Sequence, residues 1–116
     1  MNHTLETEVE KGKVHTVVEI IEYLPNAVVS RTIVRKITGN ITATSFDSGE
    51  ELPERTVPYD TYIQIIDGEA EVIIREKLFL PKLGDCFIIP ANAAHCINAT
   101  KQMKMISTVI KSGYED

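Results

Sequence analysis

β-Branched side chains dominate the apolar content of this chain. Fifteen isoleucines, ten valines and eleven threonines stand against six leucines, and β-branched residues suit the pleated surface of a sheet better than a helix. Apolar runs recur every ten or so residues between turn signals rich in Gly, Asp and Asn. The predicted strands are 27–37, 41–46, 61–66, 70–74, 86–89 and 103–110. Regular short strands predict an all-β sandwich or barrel.

One short helix is predicted ahead of these strands. Thr16 and Glu19 have the spacing of a capping box, in which each side chain bonds the backbone of the other residue. Apolar residues follow at helical spacing up to Leu24, and Pro25 ends the helix.

Length and charge exclude several classes of function. A chain of 116 residues is shorter than a typical domain of about 150, which excludes a separate cofactor domain. A net charge of −5 has the wrong sign for a nucleic-acid-binding surface. No apolar stretch could span a membrane and no signal peptide is recognisable, so we expect a cytoplasmic protein with Cys86 and Cys96 as free thiols.

Two frames of glycine and proline punctuate the middle of the chain. In the first, Gly49 is followed after five residues by Arg55, then by Val57, Thr61 and, after six more residues, Gly68. In the second frame, Gly84 is followed after five residues by Pro90, and then by His95 and Ala99.

These frames resemble the two motifs of the small single-domain cupins. The first family motif is Gly, five residues, His-x-His, three or four residues, Glu, six residues, Gly. The second is Gly, five residues, Pro-x-Gly, two residues, His, three residues, Asn. Here Asn92 replaces the second Gly and Ala99 the final Asn, while His95 is in place. The resemblance covers about residues 33–110.

The resemblance implies an all-β fold, a double-stranded β-helix or jelly roll with a short N-terminal helix. Residues 1–116 would form one domain, with a barrel core over about residues 27–111. In the metal-binding members, three His and one Glu hold a divalent transition metal. Arg55, Val57 and Thr61 occupy three of those four positions here, so we expect neither a metal nor another cofactor.

Strand alternation then predicts the lining of a cavity inside the barrel. If Thr61 faces inward, so do Ile63 and Ile65, while Tyr62 and Gln64 face outward. The predicted lining is Arg55, Val57, Thr61, Ile63, Ile65, His95 and Ile97. Among these we assign ligand binding to Arg55, Val57, Thr61, Ile63 and His95.

Arg55 and His95 are predicted to face this cavity from either side of the barrel. An inward arginine needs an anionic partner, such as a bound carboxylate or phosphate. The alternative is that Arg55 lies near the open end, with its guanidinium in water or beside Glu51 or Glu54. In the first case, affinity for an acid should rise as His95 becomes protonated at lower pH.

Four further side chains and one strand also have predicted positions. Cys96 and His95 cannot form a nucleophilic pair, because neighbouring strand residues point to opposite faces. Met103 and Met105 are expected in the core. Asp60 should point away from the interior. Strand 27–37 is apolar on both faces, which predicts cover by the preceding helix or by a second subunit, and we expect a homodimer.

Three functions remain open at this point. The first is a metal-free cupin barrel that binds a small, anionic metabolite. The second is an enzyme, either isomerase-like on a sugar or keto acid, with His95 as general base and Arg55 as carboxylate clamp, or an oxygenase with an atypical metal site. The third is a structural or interaction domain whose cavity is filled by its own side chains.

Overall fold

The computed structural model describes residues 2–5 and 8–114, which form ten β-strands. The strands are β1 Asn2–Leu5, β2 Val28–Lys36, β3 Gly39–Phe46, β4 Glu51–Arg55, β5 Thr61–Asp67, β6 Glu71–Ile74, β7 Lys77–Phe79, β8 Cys86–Ile89, β9 His95–Asn98 and β10 Met103–Ile110. The large sheet has the order β1-β2-β3-β10-β5-β8, and the small sheet has the order β4-β9-β6-β7. The chain crosses repeatedly between the two sheets, as in a jelly roll. The all-β prediction is confirmed.

The main core lies between the two sheets. Phe46, Val72 and Met103 are completely buried there, and Met105 is almost so. Both methionines therefore belong to the core, as predicted.

A second apolar cluster covers the outer face of the large sheet. The segment 16–24, here called the covering segment, packs Ile21 against Ala27 and Val29 of the region around β2. The two-faced apolar pattern of strand 27–37 is thus explained by cover from the preceding part of the same chain. The pattern gives no separate support for a second subunit, and the homodimer stays a prediction.

Side chains of the sheet hold the covering segment by its backbone. Lys104 Nζ donates to the Val18 carbonyl at 2.6 Å, Arg31 Nη1 to the Ile20 carbonyl at 3.0 Å and Ser45 Oγ to the Glu22 carbonyl at 2.8 Å.

The same contacts shorten the predicted helix. The structure has a single 3-10 turn over Val17–Glu19, and the Thr16 side chain makes no capping hydrogen bond, so the capping-box prediction is wrong. Leu24 is also 40% exposed, so it does not extend a buried helical face. Carbonyls that an α-helix would use internally accept hydrogen bonds from the sheet instead. Within the described residues, no helix is long and apolar enough to cross a membrane.

Candidate functional site

One end of the space between the sheets is a cavity of about 300 Å³. Both sheets contribute to its walls, and its mouth lies at the end where β3 begins and β4 ends. Two larger depressions, of about 420 and 540 Å³, lie on the outside of the molecule, and neither is lined by a histidine, arginine or lysine. The interior cavity, in contrast, is lined by Arg55, His95 and His3 together with polar side chains.

All five predicted binding residues line this cavity: Arg55, Val57, Thr61, Ile63 and His95. Ile97 also lines it, whereas Ile65 does not, and both belong to the main core. Tyr62 and Gln64 are exposed on the outer face, as strand alternation predicts. The residues are brought together as expected, and their role in binding stays a prediction.

Arg55 and His95 are neighbours in the small sheet. They lie directly opposite each other on the antiparallel strands β4 and β9, which places their Cβ atoms about 5 Å apart on one face. The expectation that they face the cavity from either side of the barrel is therefore wrong. The cation and the imidazole form one polar patch on one wall.

His95 is held in a defined orientation. The side chain is 4% exposed, and its Nδ1–H donates to the carbonyl of Ala93 at 3.0 Å. A carbonyl can only accept, so in the neutral ring Nε2 carries the lone pair. Among the described residues Nε2 has no protein partner, and no buried side-chain nitrogen or oxygen atom is left unpaired. Nε2 is thus accessible from the cavity.

Arg55 lies at the mouth rather than in the interior. Its side chain is exposed, and within the described part of the chain it forms no ion pair with Glu51 or Glu54. The open-end alternative therefore describes its position, and its guanidinium reaches water. Because the charge is solvated, no buried partner is needed for the protein to fold.

The remaining polar lining comes from residues that the sequence analysis did not assign to the site. His3 and Thr4 of β1 reach the cavity, as do polar side chains of β2, β3 and β10. The latter are Ser30, Asn40, Thr42, Thr44 and Ser107. Alternation along β3 could have revealed Asn40, Thr42 and Thr44, whereas nothing in the sequence connects His3 with the barrel.

The donor set does not fit the metal of the metal-binding cupins. Apart from His95, the motif positions hold Arg55, Val57 and Thr61. Over residues 2–5 and 8–114, no group of three or more His, Cys, Asp or Glu side chains is placed to hold a metal ion. Asp60 lines an outer depression, and its Oδ1 accepts from the Ala91 N–H at 2.8 Å.

The two cysteines are free and do not serve the site. Cys86 is exposed on β8 of the large sheet, away from His95 on β9 of the small sheet. Cys96 follows His95 directly along β9, so its side chain points to the opposite face. A Cys-His nucleophilic pair is not formed.

Solved structures with the same architecture place the chain among known folds. A conserved protein of unknown function from Streptococcus pyogenes superposes with a TM-score of 0.84 at 27% identity, covering 89% of this chain and 90% of that one. A cupin superfamily protein from Desulfitobacterium hafniense gives 0.83 at 24% identity, covering 88% and 94%. A cupin 2 conserved barrel domain protein from Leptotrichia buccalis gives 0.78 at 32% identity, covering 81% of this chain and 46% of that protein.

No family model and no curated protein matches the sequence. The fold assignment therefore rests on the architecture, together with the two glycine frames, of which Arg55, Val57, Thr61 and His95 line the cavity. The chain has the cupin fold and is a small cupin-like domain.

Proposed function

We propose that the cavity binds a small anionic metabolite without a metal ion. The observation that carries this proposal is the pairing of Arg55, exposed at the mouth, with buried His95 on one wall of the cavity. A guanidinium offers two parallel N–H donors to a carboxylate, and a protonated imidazole adds a third. The apolar side chains Ile63, Ile89 and Ile97 form the floor on which the rest of the ligand would lie.

The free volume favours binding over a purely structural role. A structural domain would fill its interior with its own side chains, and about 300 Å³ is open here. That volume suits a metabolite of a few carbon atoms.

The Arg55→Leu variant tests the proposal in thermal melts with short sugar acids and keto acids. We expect the acid-induced rise in melting temperature to fall, because about 1–3 kcal/mol of charge-assisted hydrogen bonding is lost. Lys101→Leu removes one exposed charge in the β9–β10 connection and is the matched control. Without ligand, both variants should melt close to the wild type. Equal acid-induced shifts in wild type and Arg55→Leu would eliminate the anion-binding proposal.

A pH series separates the contribution of His95. Because Nδ1–H is bonded to the Ala93 carbonyl, Nε2 can donate to a ligand carboxylate only when both ring nitrogens carry a proton, so binding of an acid should strengthen at lower pH. In His95→Gln this pH dependence should be absent. If the affinity of the wild type does not change with pH, His95 does not contact the ligand carboxylate.

A second candidate function is proton abstraction from a bound keto acid. The orientation of His95 favours it, because Nε2 of the neutral ring presents a lone pair to the cavity beside a guanidinium that can hold the carboxylate. Exchange of the C3 hydrogens of 2-oxobutyrate in D₂O, followed by NMR, would detect the reaction. Exchange that is no faster than in buffer would leave binding as the function, and faster exchange that persists in His95→Gln would exclude His95 as the base.

A further inference from the structure

The large-sheet wall of the cavity is divided into a polar and an apolar half. On β3, Asn40, Thr42 and Thr44 alternate along the strand and all line the cavity. Ser30 of β2 is the register partner of Thr44, and Ser107 of β10 is the partner of Thr42. Five hydroxyl or amide side chains therefore form one continuous patch, here called the hydroxyl wall.

Beyond β10 the wall becomes apolar. Val109 of β10 is followed across the sheet by Thr61 of β5 and Ile89 of β8, and Ser107 is followed by Ile63. The change of chemistry follows the order of the strands: polar on β2 and β3, mixed on β10, and largely apolar on β5 and β8.

The fold itself makes little use of the hydroxyl wall. Its internal contacts are long, with 3.4 Å between the Ser30 and Thr44 hydroxyl oxygens and 3.4 Å from Thr42 Oγ1 to Asn40 Oδ1. The Ser107 hydroxyl has no side-chain hydrogen bond within residues 2–5 and 8–114, yet no buried polar side-chain atom there lacks a partner. The Ser107 hydroxyl is therefore accessible from the cavity, and Ser30, Asn40 and Thr42 are half-buried, whereas Thr44 is buried.

This arrangement discriminates between classes of acid. A hydrocarbon chain against the hydroxyl wall would displace its water and leave the side-chain hydroxyls without partners, which is unfavourable. A chain that carries its own hydroxyls would replace that water group by group. Its carbon backbone would still contact Ile63 and Ile89 on the apolar half.

We infer that the ligand is a short polyhydroxylated carboxylic acid, with its carboxylate at Arg55 and His95 and its hydroxyls along the hydroxyl wall. This inference rests on the proposed anion-binding function and adds the substrate class. It assigns specificity to Thr42 and Ser107, which lie side by side on neighbouring strands.

Three six-carbon compounds test the inference by calorimetry on the full chain: gluconate, hexanoate and glucitol. Gluconate and hexanoate share the carboxylate and differ in the hydroxyls, whereas glucitol keeps the hydroxyls and lacks the charge. We expect wild-type protein to bind gluconate at least about tenfold more tightly than either of the others, since each well-placed hydrogen bond contributes a factor of that order.

Variants then locate the discrimination. Thr42→Val and Ser107→Ala should each weaken gluconate binding by about five- to tenfold and leave hexanoate unchanged or tighter. Thr108→Val is the matched control, because Thr108 follows Ser107 on β10 and lines an outer depression. Thermal melts of all three variants verify that they are folded.

The outcomes distinguish this inference from the proposed function. If hexanoate binds as tightly as gluconate and depends on Arg55, the substrate class is wrong and anion binding stands. If glucitol binds as tightly as gluconate, anion binding is wrong and the hydroxyl wall stands. If the wild type binds none of the three compounds, or if Thr108→Val weakens gluconate as much as Thr42→Val, the inference is overturned.

Discussion

The two ends of the β-sandwich are built from the same strands and differ in what those strands present. At one end, Phe46 of β3 lies opposite Met103 of β10, and both are completely buried. At the other end of the same strands, Asn40 lies opposite Val109, and both line the cavity. We refer to these as the packed end and the open end.

The difference indicates that one strand can contribute to stability at one end and to ligand binding at the other. Large apolar side chains fill the packed end, so its residues contribute mainly to the free energy of unfolding. The open end has free volume and polar walls, so its polar side chains contribute little to folding and are available for a ligand, although Ile63, Ile89 and Ile97 line the cavity and also belong to the main core. Substitutions at the two ends should therefore have different consequences.

The largest effect is expected from Phe46→Ala at the packed end. Removing a completely buried aromatic ring should lower the free energy of unfolding by about 3–5 kcal/mol, because a cavity replaces it. Urea denaturation measures this loss. Thr42→Val, on the same strand at the cavity, should change stability by less than about 0.5 kcal/mol. Equal losses in the two variants would contradict the separation of the two ends.

A smaller effect of opposite sign is expected at the β6–β7 turn. This turn directly follows Ile74, the residue of β6 that pairs with His95 at the open end. Arg75 and Glu76 form this two-residue turn with φ values of 49° and 70°, a conformation that favours glycine. Glu76→Gly should raise the free energy of unfolding by about 1 kcal/mol through relief of this strain. The control is Glu71→Gly within β6, where glycine should lower stability by about as much. A Glu76→Gly variant less stable than wild type would show that this turn is not strained.

The smallest effect concerns Asp47, just after Phe46 at the packed end. The Asn26 backbone N–H, then the Gln102 side chain and the Ser48 backbone, lower the pKa of this exposed carboxyl below its usual range. A lowered pKa contributes stability that is present above the ordinary Asp value of about 3.9 and is lost as pH falls through the folded-state pKa.

Asp47→Asn should therefore differ from wild type near neutral pH and converge with it in acid. Thermal melts from neutral pH downward measure the difference, and Asp85→Asn serves as a comparison at another loop carboxylate. A gap between wild type and Asp47→Asn that stays constant down to strongly acid pH would rule out the carboxylate charge as its cause.

The sequence predicts the inner parts of this fold well because two independent signals coincide there. Alternation on β5 places Thr61 and Ile63 inward, and the glycine frames place Arg55 and His95 at the same cavity. The relative position of Arg55 and His95 was not predictable in this way. Spacing along the chain does not specify which strands become neighbours, and the paired residues of β4 and β9 are forty or more positions apart in the sequence.

The elements missed by the sequence analysis lack such signals. β4 contains Pro53 and is mostly exposed, and β7 is a three-residue edge strand with no buried side chain. β1 joins the large sheet through parallel pairing with β2, so its His3 reaches the cavity from a distant part of the chain. The capping box failed for a related reason, since tertiary hydrogen bonds to backbone carbonyls override local helix signals.

Hydrogen bonds from Arg31, Ser45 and Lys104 to the covering segment all end on main-chain carbonyls. Every residue type carries such a carbonyl, so these three hydrogen bonds do not depend on which side chains occupy positions 18, 20 and 22. Substitutions of the exposed residue Glu22 should therefore be tolerated. Substitutions of Arg31, Ser45 or Lys104 should not, because each removes a donor. In a library of single substitutions, tolerance should be high along the segment wherever the side chain is exposed, and low at the donors that hold it.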